Sequence, residues 1–408
     1  MKVKETFRGV NASVATIILS AAALVPLLTP GVAHAATTFT WTGGGSDAKW
    51  STAANWAGNA APQSSDVGDI ITIDNSANFS NGLGSVDDIA GLSVASVVFT
   101  NNASAGFPGF DLGTNLTVTG AITQASSDTN TPDSIGDDGT ARTLTVGGSV
   151  TVTSTAGITI GDITNGDTLA LNSNTLTFTD NGGNTGNITA IYSNITGSGT
   201  VVYNAPVTDF QLYGNNTYSG TTHVIVNNLP IGDSQHADGF GSSSINVENG
   251  GSISFASGTS TTINNAITIA GTANGSPVTS LDFNDNGAAS VVITVPHITL
   301  SGSTRFSNAG TGNPQLVVNL AGITANGHCL EYLNGTTSAT DGPANGFQNG
   351  PAGCVVDAAT SDTAAPKTPN TGFALMAAHP VVTLAVTLLS TVVIFAISRA
   401  SRKHAGSR

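Results

Sequence analysis

Charged residues are scarce in this sequence. Only 9% of its 408 residues are Asp, Glu, Lys or Arg, whereas soluble proteins average about 25%. Long amphipathic helices need a charged face toward water, so the shortage argues against them. Glycine is abundant, with 49 residues, and the polar positions are filled mainly by Ser, Thr and Asn. This composition favours an all-β protein with a largely uncharged polar surface.

Basic residues are the scarcer of the two charged classes. The 11 Lys and Arg are outnumbered by 25 Asp and Glu, which gives a formal net charge of -14. Nucleic-acid binding depends on clustered Lys and Arg, so we expect no nucleic acid among the partners. Simple disorder is also disfavoured, because 39% of the residues are hydrophobic and disordered chains combine low hydrophobicity with high charge.

The N-terminus has the pattern of a secretory signal peptide. Basic residues precede an apolar run over 12–28, and Ala33-His34-Ala35 follows a Thr-Pro break. A basic start, an apolar core and an A-x-A site predict a signal peptide over 1–35, cut between Ala35 and Ala36. The alternative is an uncleaved membrane anchor.

The C-terminus has the pattern of a membrane anchor with a short basic tail. An apolar segment over 373–398 is long enough to span a bilayer, and 399–408 is rich in Arg and Lys. Positive charge after a span keeps that side in the cytoplasm, so we expect the bulk of the chain outside the cell. The segment over 360–372, which is rich in Pro, Ala and Thr, reads as a linker.

The linker ends in Thr368-Pro369-Asn370-Thr371-Gly372, directly before the apolar segment. Motif, span and basic tail in this order resemble the sorting signal of bacterial proteins that sortases attach to the cell wall. The resemblance implies cleavage between Thr371 and Gly372 and transfer of the threonyl carboxyl to the peptidoglycan precursor. Thr368 stands where the family has Leu, so retention as a single-span membrane protein is the alternative. Either outcome places the protein at the cell surface.

Cysteine is nearly absent, with only Cys329 and Cys354. No C-x-x-C pair is present, which argues against a zinc or thiol-redox centre. In an exported protein two such cysteines predict one disulfide, worth about 3 to 4 kcal/mol in the chain-entropy model. We expect this disulfide to close a C-terminal cap over 326–359.

Short alternating runs dominate the sequence between the two ends. Thr143-Leu-Thr-Val146, Ser149-Val-Thr-Val152 and Asn265-Ala-Ile-Thr-Ile269 are typical, each followed by Gly, Thr or Ala. Apolar residues at every second position predict strands with one buried face. Stacked sandwich domains are one solution, but they usually carry aromatic anchors, and aromatics make up only 6% of the chain. We therefore predict a parallel β-helix over 70–325, with about 20 to 25 residues per coil.

Two stretches carry a second resemblance. Residues 215–222, Asn-Asn-Thr-Tyr-Ser-Gly-Thr-Thr, and the Gly- and Ser-rich strand region over 241–253 resemble the passenger-associated strand repeat of autotransporters. The opening over 39–56 is similar to the start of many such repeat proteins. The resemblance implies a right-handed β-helix that serves as a surface stalk, adhesin or passenger.

All three tryptophans, Trp41, Trp50 and Trp56, lie near the start of the expected mature chain. We predict that they close the open end of the solenoid as an N-terminal cap over 36–69, because a bare sheet edge invites pairing with another chain. Exposed indoles that stack on sugar rings are the alternative.

Calcium is the cofactor hypothesis that the acidic turns raise. Asp282, Asn284 and Asn286 reproduce the first half of an EF-hand loop, but position twelve is Ile293 instead of Glu, so an Asx-rich turn is the competing interpretation. The turns over 133–139 and 161–167 are similarly acidic.

Enzymatic activity is not expected. Asp137 and Asp138 form the nearest carboxylate pair, but adjacent strand residues face opposite sides of a sheet. The four histidines between 223 and 328 show no metal-ligand spacing. We therefore predict a non-enzymatic, adhesin-like surface rod without an assigned ligand, which could be a glycan, a host protein or a neighbouring cell. The alternative is a surface protein that binds or cleaves polysaccharide.

Overall fold

The computed structural model describes residues 36–64, 67–74, 85–100, 109–126, 132–153, 157–162, 164–180, 189–204, 210–225, 229–231, 239–271, 280–285, 290–308, 316–334, 337–339 and 347–353. These residues form a parallel β-solenoid with almost no helix. The predicted all-β class and parallel β-helix are therefore confirmed, while its right-handed twist stays a prediction.

From Ile70 onward, each coil runs along a strand of sheet 1, turns onto a strand of sheet 2, and returns by a third side. Sheet 1 comprises Thr38–Trp41, Ile70–Asp74, Ser96–Thr100, Ile122–Gln124, Ser149–Val152, Thr175–Asp180, Ser198–Asn204, Ser219–Val224, Ser244–Val247, Ile267–Ile269, Ile298–Leu300 and Ile323–Thr324. Sheet 2 comprises Ser85–Asp87, Gly109–Leu112, Asp133–Asp137, Ile158–Ile160, Thr189–Ile191, Phe210–Leu212, Leu229–Ile231, Ile253–Ala256, Leu281–Asn284, Thr304–Asn308, Leu330–Asn334 and Thr337–Ala339.

The third side carries two shorter sheets. Sheet 3 comprises Ser93–Val94, Leu116–Val118, Thr143–Val146, Thr168–Ala170 and Asn194–Thr196. Sheet 4 comprises Thr261–Thr262, Val291–Thr294, Leu316–Asn319 and Phe347–Gln348. Every strand pair among the described residues is parallel except the last pair of sheet 2, between Leu330–Asn334 and Thr337–Ala339.

Alternation along each strand produces the core. In sheet 1 the residues between the outward Thr and Ser side chains point inward and stack in register from coil to coil, as Phe39 does on Ile71. Further along this column, the Phe178 and Tyr203 rings stack at 5.4 Å with an interplanar angle of 4°. A fully buried side chain of this kind contributes about 1.5 to 3 kcal/mol, so the column stabilises every coil it crosses.

Coil length varies more than the sequence pattern predicts. Adjacent strands of sheet 1 are 21 residues apart where Ser198 pairs with Ser219, and 32 apart where Thr38 pairs with Ile70. The expected range was 20 to 25, and the excess lies in the corners, whose length the strand pattern does not constrain. The solenoid also extends beyond 70–325, because Thr38–Trp41 and Leu330–Asn334 already belong to sheets 1 and 2.

The Asn-Asn-Thr-Tyr-Ser-Gly motif forms a corner that joins three coils. The Asn216 side chain accepts from the Ile195 backbone N–H at 2.6 Å and donates to the Gly239 carbonyl at 2.7 Å. Tyr218 is fully buried, and its hydroxyl is 2.7 Å from Thr222 Oγ1. Buried backbone groups must be paired, so this asparagine supplies the hydrogen bonds that the bend removes from the ladder.

The N-terminal end is covered by a segment that folds back on the first strand. It contains two short 3₁₀ helices, Ala53–Asn55 and Ala57–Asn59, and a bridge between Trp41 and Trp56. The Asn55 side chain donates to the Lys49 carbonyl at 2.9 Å and accepts from the Gly45 N–H at 2.7 Å. These bonds hold the segment against the open end of sheet 1.

The predicted signal peptide, linker, sorting motif, apolar span and basic tail all lie outside the described residues. Within the described part of the chain, no helix is long and apolar enough to cross a membrane.

We expect Gly220→Ala to destabilise the solenoid by more than 1 kcal/mol. Gly220 has φ +119°, and a Cβ there would overlap the carbonyl oxygen of Gly199 on the neighbouring coil. Gly91→Ala is the matched control, since Gly91 also has positive φ, at +74°, but has nothing within 4 Å of a Cβ. Urea unfolding measures both variants, and equal losses would contradict the role of close coil approach.

Candidate functional site

The three tryptophans form a buried cluster. Their exposed fractions are 0 to 2%, and Trp56 packs edge-on against Trp41 at 5.2 Å and Trp50 at 5.6 Å. The indole N–H of Trp50 donates to Ser85 Oγ at 2.6 Å, and that of Trp56 donates to the Trp50 carbonyl at 2.6 Å. A buried indole offers no face to a sugar, so the glycan-stacking alternative does not fit these residues.

The calcium-loop pattern lies on a strand. Asp282 and Asn284 belong to the sheet 2 strand Leu281–Asn284, and Asn286 lies outside the described residues. The Asp282 carboxylate accepts from the hydroxyls of Ser254, at 3.2 Å, and Ser307. Burial raises the pKa of Asp282. Asp282 and Asn284 therefore lie on an extended strand. The Asp282 carboxylate oxygens accept hydrogen bonds from hydroxyls of the neighbouring coils.

The predicted disulfide is described at one of its two positions. Cys329 is disulfide-bonded, and its backbone N–H donates to Ser303 Oγ at 3.0 Å. Cys354 lies outside the described residues, so the pairing of these two cysteines stays a prediction.

The two acidic turns over 133–139 and 161–167 lie on neighbouring coils and form an acidic corner. We use this name for Asp111, Asp137, Asp138, Asp162 and Asp167. Sheet 2 sets the arrangement, because it pairs Asp111 with Gly136 and Leu112 with Asp137. A Cβ on Gly136 would lie 2.7 Å from Asp111 Oδ1, so this glycine makes room for the carboxylate.

Hydrogen bonds and one arginine hold the acidic corner together. Asp137 Oδ1 accepts from the Gly139 N–H at 2.8 Å and from Asn165 at 3.0 Å. Arg142 donates to both carboxylate oxygens of Asp138, at 3.0 and 3.2 Å. The backbone N–H of Arg142 also donates to Asp167 Oδ1 at 2.8 Å. Most of this acidic charge is therefore bound within the fold.

Burial and repulsion raise the pKa of two carboxyls of the acidic corner, Asp111 and Asp167. The pKa of Asp111 rises to about 6, first because of burial and then because of the charges on Asp137 and Asp138. Burial also raises the pKa of Asp167, with a further contribution from Asp137. Two coils earlier in the same column as Asp137, burial raises the pKa of the fully buried Asp87 to about 7.

The described carboxylates of the acidic corner are not arranged as a metal-binding site. Across the residues that the structure describes, no group of three or more His, Cys, Asp or Glu is arranged to hold a metal ion. The acidic corner is built from protein hydrogen bonds and an arginine contact.

Two tyrosines that the sequence analysis did not single out lie at the surface of sheet 2. Tyr192 and Tyr213 are partly exposed, whereas every other aromatic side chain whose burial is described is buried. Their rings stack with centroids 4.8 Å apart and an interplanar angle of 11°. The sequence signal was weak, because each tyrosine simply follows a short strand at the position where a corner begins.

The outer face of sheet 1 is polar and almost uncharged. In register along neighbouring coils, its outward side chains include Thr40, Thr72, Val98, Thr123, Thr151 and Thr179. Hydroxyls of this kind keep the outer face of sheet 1 solvated without charge.

We expect Asp87→Asn to flatten the pH dependence of stability between pH 4 and 7. The folded Asp87 carboxyl holds a proton that the unfolded chain has released above its ordinary pKa of 3.8, so its contribution to the free energy of unfolding falls as the pH rises. In the wild type the Ile89 N–H donates to Asp87 Oδ1 at 3.1 Å. An Asn side chain keeps an acceptor for this hydrogen bond and has no charge to bury. The two profiles should diverge by up to about 1.4 kcal/mol per pH unit.

Asp162→Asn is the control for that measurement. Hydrogen bonds from Thr164 lower the pKa of Asp162, so its removal leaves the slope between pH 4 and 7 unchanged. Urea titrations at half-unit pH steps measure all three proteins, and parallel profiles for wild type and Asp87→Asn would show that Asp87 ionises normally.

The sequence matches no protein-family model, and no curated protein or solved structure is detectably similar to it. The short motifs that are similar to sortase substrates and autotransporter passengers therefore remain resemblances.

Proposed function

We propose that this chain is a non-enzymatic surface protein whose β-solenoid acts as a projecting, adhesin-like rod. The observation that carries the proposal is the uninterrupted stacking of twelve strands in sheet 1. At about 4.8 Å per strand, this stack spans roughly 50 Å. A repeat fold with polar sides projects away from its point of attachment, which is what a stalk requires.

The two ends of the sequence carry the predicted export and anchoring signals. The predicted signal peptide exports the chain, and the motif Thr368-Pro369-Asn370-Thr371-Gly372 presents it to a sortase. Transfer of the Thr371 carboxyl to peptidoglycan would leave the rod attached at its C-terminal end. Without that cleavage, the apolar segment over 373–398 would retain the rod at the plasma membrane as a single-span protein.

The acidic corner supports a structural role better than a hydrolytic one. A glycoside hydrolase needs one carboxylic acid and one carboxylate on opposite sides of a bound sugar. Here Arg142 donates to both carboxylate oxygens of Asp138. Asp137 accepts from the side chain of Asn165 and from a backbone N–H. Carboxylates tied to the scaffold in this way contribute to the packing of neighbouring coils.

We also infer a right-handed solenoid, because parallel strands with crossover connections are almost always right-handed.

Mass spectrometry of protein released from the native wall by a muramidase tests the anchoring. We expect a C-terminal peptide that ends at Thr371 and carries a peptidoglycan fragment. A peptide that continues through Gly372 into the apolar segment would overturn wall attachment in favour of membrane retention. Absence of the protein from both wall and membrane fractions would overturn the surface assignment.

A Thr368→Leu variant sharpens this test. If the threonine only slows the sortase, the variant should increase the wall-linked fraction several-fold, because it restores the apolar side chain typical of the family. Thr371→Ala is the matched negative control, since it removes the residue whose carboxyl is transferred. Equal wall-linked fractions in wild type and Thr371→Ala would contradict cleavage at this bond.

A further inference from the structure

Three buried polar residues lie at a corner of the solenoid where the neighbouring coils have apolar side chains. Gln124, Ser126 and Asp133 are each 0% exposed. In the register of sheet 1, the coils before and after place Phe99 and Val152 opposite Gln124. Burying an amide, a hydroxyl and a carboxyl in an apolar column costs stability unless the groups bind one another. Departures of this kind from the packing pattern concentrate at functional sites.

The three side chains form a closed set of hydrogen bonds. Ser126 Oγ donates to Asp133 Oδ2 at 2.8 Å, and Gln124 Nε2 donates to the same oxygen at 2.7 Å. Gln124 Nε2 also donates to Ser126 Oγ at 2.7 Å. One carboxylate oxygen therefore contacts both a hydroxyl proton and an amide nitrogen, deep inside the corner.

The Ser126 hydroxyl lies close to the amide carbon of Gln124. The two side chains share the inward face because they are two residues apart, with exposed Ala125 between them. With Nε2 at 2.7 Å from Ser126 Oγ and an amide C–N bond of about 1.33 Å, Ser126 Oγ lies within about 4 Å of Gln124 Cδ. Reacting atoms need a separation of about 3 to 3.5 Å, which rotation about the Gln124 side-chain bonds supplies.

We propose that Ser126 and Gln124 form an intramolecular ester and release ammonia. Ser126 Oγ bonds to Gln124 Cδ while its proton passes to Asp133 Oδ2. The Cδ–Nε2 bond then breaks, and Asp133 gives the proton to Nε2, which leaves as ammonia. Asp133 ends as the carboxylate that it was at the start, so no further reactant is consumed. A single oxygen serves as base and then as acid because it contacts both groups.

Burial favours formation of this bond and then protects it. Water is excluded from side chains with no exposed surface, so it neither competes with Ser126 for the amide carbon nor hydrolyses the product. Ammonia that escapes is diluted by the surrounding solution. The ring that results spans 124–126 and fixes the bend where the chain leaves sheet 1 for sheet 2. This bond does not depend on how the rod is anchored.

A buried pair two coils later provides an internal control. Thr189 Oγ1 donates to Asp180 Oδ2 at 3.0 Å, and both side chains are 0% exposed. The register of sheet 1 leads from Gln124 through Val152 to Asp180. The Thr189–Asp180 pair thus has a hydroxyl and a carboxyl at the same corner but contains no amide, so it cannot release ammonia.

Peptide mapping of the full-length protein by mass spectrometry tests the ester. We expect the peptide that contains 124–126 to be lighter than its sequence by one ammonia. Hydroxylamine should open the ester and convert the Gln124 carbonyl to a hydroxamate. A succinimide at an Asn-Gly pair also loses ammonia, so fragmentation must place the loss within 124–126. A peptide of unmodified mass, or a loss of ammonia only at other residues, would overturn the proposal.

Variants then assign the roles. Ser126→Ala removes the attacking oxygen and Asp133→Asn removes the group that moves the proton, so each should restore the full mass of the peptide. Thr189→Ala should keep the loss of ammonia at 124–126, because it removes a buried hydroxyl two coils away. Circular dichroism checks that each variant is folded. A folded Ser126→Ala protein that still lacks ammonia at 124–126 would exclude the ester, and the wild-type peptide decides the question even if a variant does not fold.

Discussion

In-register parallel stacking of the coils is the constraint on which this structure depends. Each strand can bury its apolar face only if the coils before and after it place equivalent side chains in the same column. The column from Phe39 and Ile71 through Phe178 and Tyr203 meets that condition. Coil length varies from 21 to 32 residues because the corners differ in length. This variation is tolerated because it leaves the column undisturbed.

Stacking also determines where charge is tolerated. A charged residue on a strand meets its own column neighbours about 4.8 Å away, so like charges repel and opposite charges pair. Arg305 lies opposite Glu331 on the next coil, and the two side chains form an ion pair at 2.6 Å. Asp111 lies near Asp137 and Asp138, and its pKa is raised first by burial and then by their charges. A rod with few charges avoids most of these conflicts and is wetted by Thr, Ser and Asn instead.

Much of the fold was predictable because its signal is local. Thr143-Leu-Thr-Val146 and Ser149-Val-Thr-Val152 alternate with period two, and both form strands with the expected faces. The Asn-Thr-Tyr motif after residue 214 also lies at a corner, where Asn216 replaces lost ladder bonds. The D-x-N spacing that raised the calcium hypothesis places Asp282 and Asn284 on one face of a strand, and calcium binding stays a prediction.

The sequence alone therefore determined the all-β class and the short strands, since each depends on neighbouring residues, and the processing signals at the two ends stay predictions. Only the tertiary structure decided that the acidic turns meet, that the tryptophans are buried, and that Tyr192 stacks on Tyr213. The contacts of the acidic turns and of the tyrosine pair join residues about one coil apart, and the coil register depends on corner lengths that no local periodicity encodes.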